Sequence, residues 1–359
     1  MAADSHGANA LKRRSWVRQV VLGLTLASCG NAGGVGATPV LRLAPPLTAE
    51  QVAVIPVGRD ATQVVLGGGY AWVGNSGDGT ISQIDPHTNR VARTFKVGDT
   101  GARRSQGCEP YDVHGMPDGS FITRRCDVPS AILFAAGSLW ATRDEERSLL
   151  RIDPATRKVT ATIPLELSPF AMGAGPNSIW VTDYEHGAVA HVDIATNRLV
   201  GVIRGLAAGP AAVAVEGGSA WVVNRSHEGV TRIDVASHKI LAFIPLDRGP
   251  LPILATPGGI FIKEDIQGDV VRIDPATNAV ADRFPVGPKE GRDGVDSMAV
   301  DGDGVWITGM HLQRIDAASG AVTKQLKQDA TTVTLDPSGD LWVTNVVGDV
   351  VRVRAAATR

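Results

Sequence analysis

Histidine set beside carboxylate is the pairing from which proteins build divalent-metal sites and acid–base catalysts. This chain carries that pairing in a few short stretches. The first is Asp183-Tyr184-Glu185-His186 and the second is Asn224-Arg225-Ser226-His227-Glu228. Lys263-Glu264-Asp265 and His311 complete the set. His227, Glu264 and His186 are its candidate general acids or bases. A hard cation such as Ca2+ or Mg2+ selects oxygen, so Asp183 and Glu264 are its candidate ligands, with asparagine side chains in support. Asp183, Tyr184, Asn224, Arg225, Glu228, Asp265 and His311 are candidate contacts to a bound molecule. The competing reading is a hydrated rim of loop side chains with no ligand.

Other chemistries find no support in the residues. The chain has no G-x-S-x-G elbow, no CxxCH haem attachment, no HExxH helix and no Walker A loop. Asn75-Ser76-Gly77-Asp78-Gly79 has the look of a calcium loop but lacks the downstream glutamate, so it reads as a hairpin turn.

These residues stand on a repeating pattern. An apolar segment around an aromatic is followed by an Asp that closes a second apolar segment, as in AWVGN…QIDPHTN, LWATR…RIDPATR and IWVTD…HVDIATN. AWVVN…RIDVASH, IFIKE…RIDPATN and VWITG…RIDAASG continue the series, and LWVTNVVGDVVRVR begins a seventh copy. The aromatics Trp72, Trp140, Trp180, Trp221, Phe261, Trp306 and Trp342 recur about every 40 residues, with one longer gap after Trp72. Each unit divides into four short stretches: the first is small and apolar, the second carries the aromatic, and the third and fourth alternate with period two between Gly, Pro and Asn, which predicts strands rather than helix. A unit of this size cannot bury its apolar face alone, so the expected fold is all-β: a seven-bladed β-propeller of four-stranded antiparallel blades.

The seventh copy lacks a fourth strand. Gln51–Gly58, QVAVIPVG, resembles the fourth strands elsewhere and is expected to pair into blade seven and close the ring. The recurring Asp of IDPATN is expected to cap a turn, and the aromatic column to fill the space between blades. The residues directly after each aromatic strand are Asn75, Arg143, Asp183, Asn224, Glu264, Gly309 and Asn345, a polar ring whose variation is more informative than the repeat.

The pattern resembles the YVTN-type propeller repeats. WVTN stands at Trp342–Asn345, with WVTD at Trp180–Asp183 and WVVN at Trp221–Asn224, and RIDPATN stands at Arg272–Asn278. The resemblance covers about residues 50–354. It implies the fold, and a site on the face where the loops from fourth to first strand and from second to third strand meet the central channel. Related propellers include streptogramin lyases and metal-dependent lactonases. No full motif of His, Glu and His surrounds His227 to match the lyases.

The longer gap holds an insertion, residues 99–127, with no periodic pattern. Its Tyr111 and His114 are further candidate contacts to a ligand. Cys108 and Cys126 both lie in it, and in an oxidising compartment they are expected to form a disulfide worth about 3 kcal/mol. A shorter insertion, Pro288–Asp296, is expected on the same face.

The N-terminus reads as a targeting segment. Lys12-Arg13-Arg14 precedes the apolar run Val20–Ala27 and then Ser28-Cys29-Gly30. Leu26-Ala27-Ser28-Cys29 resembles a lipobox, and Arg13–Arg18 resembles a twin-arginine signal. The expected organisation is a signal peptide over 1–28, lipidation at Cys29, a Gly/Ala/Pro-rich tether over 29–46 and the propeller over 47–359. That organisation implies a periplasmic or cell-surface lipoprotein anchored to a bacterial membrane. A net charge of −2 and 5% aromatic residues argue against nucleic acid as a partner. The functional expectation is a monomeric, non-enzymatic binding or scaffold module for an envelope protein or small ligand. The alternative is a metal-dependent lyase or lactonase using the loops of blades three to six.

Overall fold

A computed structural model describes residues 51–97, 114–115, 121–122, 129, 131–247, 249–264, 268–286, 297–309, 311–328, 330–345 and 348–355. The proposed signal peptide and tether, Cys29, Cys108, Cys126, Tyr111, Asp265 and the Pro288–Asp296 insertion lie outside the described residues. So does most of the 99–127 insertion, from which only the backbone pairing of His114–Gly115 with Phe121–Ile122 is described.

The described chain folds into seven four-stranded antiparallel sheets and contains no α-helix. Each sheet is one blade, with its first strand innermost and its fourth outermost. The innermost strands touch in sequence around a ring, and Thr332–Leu335 of blade seven returns to Ala61–Gly67 of blade one. Blade seven takes its outermost strand from the other end of the chain. Gln51–Pro56 pairs antiparallel with Asp349–Arg354, so the predicted closure is present.

Burial follows position in the blade. The second strand has a neighbour on both edges and a blade against both faces, so Ser178–Asp183 and Ser219–Asn224 are buried at every residue. The aromatic column is 0–2% exposed. Each member packs into the following blade: Trp140 lies with Ile179, Val181 and Val192, and Trp342 with Val64, Val73 and Ile84. The core is therefore a set of apolar seams between neighbouring blades, the last of which joins blade seven to blade one. No blade holds a core of its own, which is why the repeat cannot be stable singly.

The turn after the third strand works as the sequence predicts. Asp153 Oδ1 accepts from the Thr156 amide at 2.6 Å and from its hydroxyl at 2.9 Å, and Asp193, Asp234 and Asp316 do the same with Thr196, Ser237 and Ser319. These hydrogen bonds hold the four carboxylates below their ordinary pKa.

A second device in the same motif was not foreseen. The residue facing the aromatic on the third strand is Gln83, Arg151, His191, Arg232, Arg272, Arg314 or Arg352. A β-bulge follows it in every blade. The extra residue of each bulge stands on the outermost strand, Thr160 in blade two and Leu241 in blade four, so it is that strand which bends while the third stays regular. Arg151 lies over Trp140 and donates to Asn197 Oδ1 of the next blade at 2.9 Å. Arg232 lies over Trp221 and reaches Asn278 at 2.7 Å, and Arg352 lies over Trp342 and reaches Asn89 at 3.1 Å. The three asparagines sit at φ of 53–56°, the left-handed region that Asn tolerates best after Gly. The final Asn of IDPATN thus ends a turn and receives an arginine from the preceding blade.

Candidate functional site

The loops between second and third strands lie against the loops that join one blade to the next. Ser76 N donates to Asp60 O at 3.1 Å, and Arg225 N donates to Gly209 O at 2.8 Å. Both loop sets therefore share one face, called the upper face below, as the resemblance implied. The candidate residues at the ends of the second strands all stand at this level.

Four members of the polar ring are 0–1% exposed: Asn75, Asp183, Asn224 and Glu264. Three of them hold the neighbouring interblade loop. Asp183 Oδ2 accepts from the Ser168 amide at 3.0 Å, while Oδ1 accepts from the His186 amide at 3.1 Å. Asn224 Nδ2 donates to Ala207 O at 2.7 Å, and its Oδ1 accepts from the Thr231 hydroxyl at 2.6 Å. Glu264 Oε1 accepts from the Asp247 amide at 2.8 Å, and its Oε2 accepts from Arg283 at 2.5 Å. Burial raises the Glu264 pKa, opposed by the hydrogen bonds from Asp247 and Arg283. Asn75 binds Thr80 and Ser82, and Gly58 comes so close that a Cβ there would lie 2.6 Å from the Asn75 amide. Only a glycine lets that interblade segment pass.

The remaining candidates spread along the blade radius. Tyr184 packs on Phe170 of the loop that leads into its blade, with ring centroids 5.1 Å apart, and its hydroxyl lies 3.1 Å from Ser226 Oγ of blade four. This half-buried aromatic shelf spans two blades, and sequence reading missed Phe170 because it falls in an interblade loop outside the repeat. His227 lies 5.3 Å from the ring of Phe243, on the outermost strand of blade four. Glu228 is exposed at φ 52°, and Arg225 is half-buried beside it. Lys263 Nζ donates to Thr308 O of blade six at 3.2 Å. His311 is half-buried, with its Nδ1 lacking a hydrogen-bond partner among the described residues.

One pair has the form of an acid–base unit. His186 Nδ1 stands 3.0 Å from both Asp183 oxygens, and the imidazole is 53% exposed. A buried carboxylate on Nδ1 fixes the tautomer and leaves Nε2 to accept a proton from solvent or a ligand. Among the described residues, no group of three or more His, Cys, Asp and Glu side chains is placed to hold a metal ion.

No protein-family model and no curated protein sequence matches the chain. Solved structures do match. A chain of hydrazine synthase from Kuenenia stuttgartiensis is 17% identical, covering 84% of this chain and 97% of that one at a TM-score of 0.64. A streptogramin B lyase is 15% identical, covering 82% and 93% at 0.63. A chain of a mitotic checkpoint complex is 9% identical, covering 94% and 100% at 0.66. At these identities, a synthase, a lyase and a checkpoint assembly share an architecture and not an activity, so what the likenesses show is the β-propeller fold.

Proposed function

We propose that this chain is a YVTN-type propeller that binds an envelope protein or a small ligand on its upper face, without catalysis. One observation carries the reading. Asp183, Asn224 and Glu264, the polar groups best suited by type to a metal or a reacting substrate, direct their heteroatoms at the loops that join neighbouring blades. Groups so engaged stiffen the rim. What the rim leaves for a partner is the Tyr184–Phe170 shelf, bridged to Ser226, with Arg225 and Glu228 beside it. An aromatic pair among polar side chains suits a protein loop or a small planar ligand.

The test is comparative capture from an envelope extract. Tyr184→Ala and Arg225→Glu are expected to lose a partner that a substitution on the opposite face, such as Thr196→Ala, retains. A partner lost equally by all three variants, or by none, would count against the upper face.

The Asp183–His186 pair favours a second reading, a divalent-metal-dependent lyase or lactonase with His186 as general base. A thermal titration with Ca2+, Mg2+, Mn2+ and EDTA separates the two. A bound cation at about 100 times its Kd adds roughly 2.7 kcal/mol of stability. A gain of that size, abolished in Glu264→Gln or Asp183→Asn, would promote the enzyme reading, whereas the binding module is expected to be indifferent to all four reagents. We further propose that the protein is exported and held by a lipid at Cys29, on the strength of the basic, apolar and small-residue order of residues 12–30. Cys29→Ser is expected to move it from the membrane fraction to the soluble one.

A further inference from the structure

Three of the seams between blades hold a cation. In each, the latch arginine lies over the aromatic and directs Nη1 at two oxygens of the next blade. One oxygen belongs to the turn asparagine. The other is the carbonyl that follows the capping Asp, that of Ile194, Pro275 or Pro86, at 2.9, 2.6 and 2.7 Å. The seam from blade three to blade four departs from this rule. Its strand residue is His191 and its turn residue is His238, so the corresponding carbonyl, that of Val235, has no arginine to receive. Burial and the neighbouring ring hold His191 below its ordinary pKa, so it brings no positive charge at neutral pH.

The two imidazoles have the arrangement of a chelate. His191 Nδ1 and His238 Nε2 stand 2.7 Å apart. The His191 ring lies flat on Trp180, its plane turned by 9°, and His238 meets it nearly edge-on at 80°. His238 sits at φ 59°, in the left-handed region that the matching turns fill with Asn89, Asn197 and Asn278. Its ring lies against Gly201, where an added Cβ would come within 3.4 Å of Cε1 and Nδ1. Gly201 faces His191 on the fourth strand, at a position that carries a side chain in every other blade. Among the described residues, His191 Nε2 and His238 Nδ1 have no hydrogen-bond partner, so the contact between the rings is the one that positions both. Asp193, two residues along the same face of the third strand, adds a negative charge that acts on His191.

We infer that His191 and His238 clip a transition-metal ion at this seam, with water completing its shell, where other seams hold a guanidinium. Imidazole nitrogen selects Zn2+, Ni2+ and Cu2+ over Ca2+ and Mg2+. Two nitrogens that share one ion at about 2.0–2.1 Å stand about 2.9–3.4 Å apart for right-angled to tetrahedral geometry, so the rings need to part by only about 0.2–0.7 Å. Binding turns the donor ring to its other tautomer, so that both facing nitrogens present lone pairs. Two protein ligands hold an ion loosely, so it is exchanged in purification and has to be supplied. The turn that carries His238 lies at the opposite end of the strands from the upper face, so the inference does not depend on what that face binds.

Thermal denaturation of the full chain, dialysed free of metal and then titrated with Ni2+ or Zn2+ at neutral pH, tests it. The wild type is expected to gain several degrees in melting temperature with either ion and nothing with Mg2+. His191→Arg combined with His238→Asn, which carries the latch of the other blades, is expected to lose the gain. His238→Asn alone should lose it too, and equilibrium dialysis should show it binding one Ni2+ fewer per chain than the wild type. Asp183→Asn, on the upper face, is expected to keep the gain. A wild type that neither ion stabilises overturns the inference. So does a gain that persists in either histidine variant, which would belong to other side chains, or one that Asp183→Asn abolishes, which would place the ion on the upper face.

Discussion

At the scale of single residues, the upper face separates chemistry suggested by residue type from the role each side chain takes. Glu264 is fully buried, accepts from a backbone amide and meets Arg283. Its raised pKa means that ionisation in place is disfavoured, so stability contributed by the protonated form is present at low pH and lost as pH rises through the folded value. Glu264→Gln keeps an acceptor for the Asp247 amide and is expected to change stability by less than about 1 kcal/mol at neutral pH. Glu264→Ala strands that amide and the arginine and is expected to cost about 2 kcal/mol, read by urea denaturation. Asn224→Ala should cost a similar amount, because the Ala207 carbonyl and the Thr231 hydroxyl both lose a partner. These roles were not legible in the chain. The ring positions follow from the repeat, but which atom each side chain meets depends on the irregular interblade loops, and those carry no period. Phe170 illustrates the same limit from the other side, as a member of the aromatic shelf with no counterpart in the repeat.

At the scale of elements, the motif contains more than its periodicity discloses. The strand order, the aromatic column and the capping Asp could all be read from spacing, since each depends on local pattern. The arginine latch could have been found by comparing each repeat with the next. Where the third strand has Arg151 or Arg232, the following turn ends in Asn197 or Asn278, and where it has His191 the following turn ends in His238. His191 stacks on Trp180 with rings 4.5 Å apart, and its Nδ1 lies 2.7 Å from His238 Nε2. One imidazole must donate and the other accept, so two imidazolium rings cannot share this contact. Burial lowers the His191 pKa below 6.5, the neighbouring His238 lowers it further, and Asp193 opposes both. A histidine with a lowered folded pKa stabilises the protein above its unfolded value, and that stability is lost as pH falls below about 6.5. The seam between blades three and four is therefore expected to weaken in mild acid. His191→Arg combined with His238→Asn rebuilds the latch found elsewhere in the ring, and its melting temperature should fall less than that of the wild type between about pH 7 and pH 5. Equal acid sensitivity in the two proteins would assign the effect to other groups.

At the scale of the molecule, the ring is a chain of seams with a single closure. Ile55 is 2% exposed and packs with Trp342 and Val350 of blade seven and with Val64 and Ile84 of blade one, so one residue near the N-terminus joins both sides of the last seam. Ile55→Ala is expected to cost about 2–5 kcal/mol, and removal of Gln51–Pro56 to lower stability further by leaving Asp349–Arg354 with an open edge. Urea denaturation of both forms checks the order. The closing strand was legible because its sequence repeats that of the other fourth strands, although its partner lies at the far end of the chain. The same arrangement decides where mechanical load falls. Any tension drawn through the residues preceding Gln51 reaches the ring first at Gln51–Pro56, whose strand partner among the described residues is Asp349–Arg354. That pairing stands first in the load path, with the packing of Ile55 between blades seven and one beside it, so the closure of the ring is also its mechanical fuse.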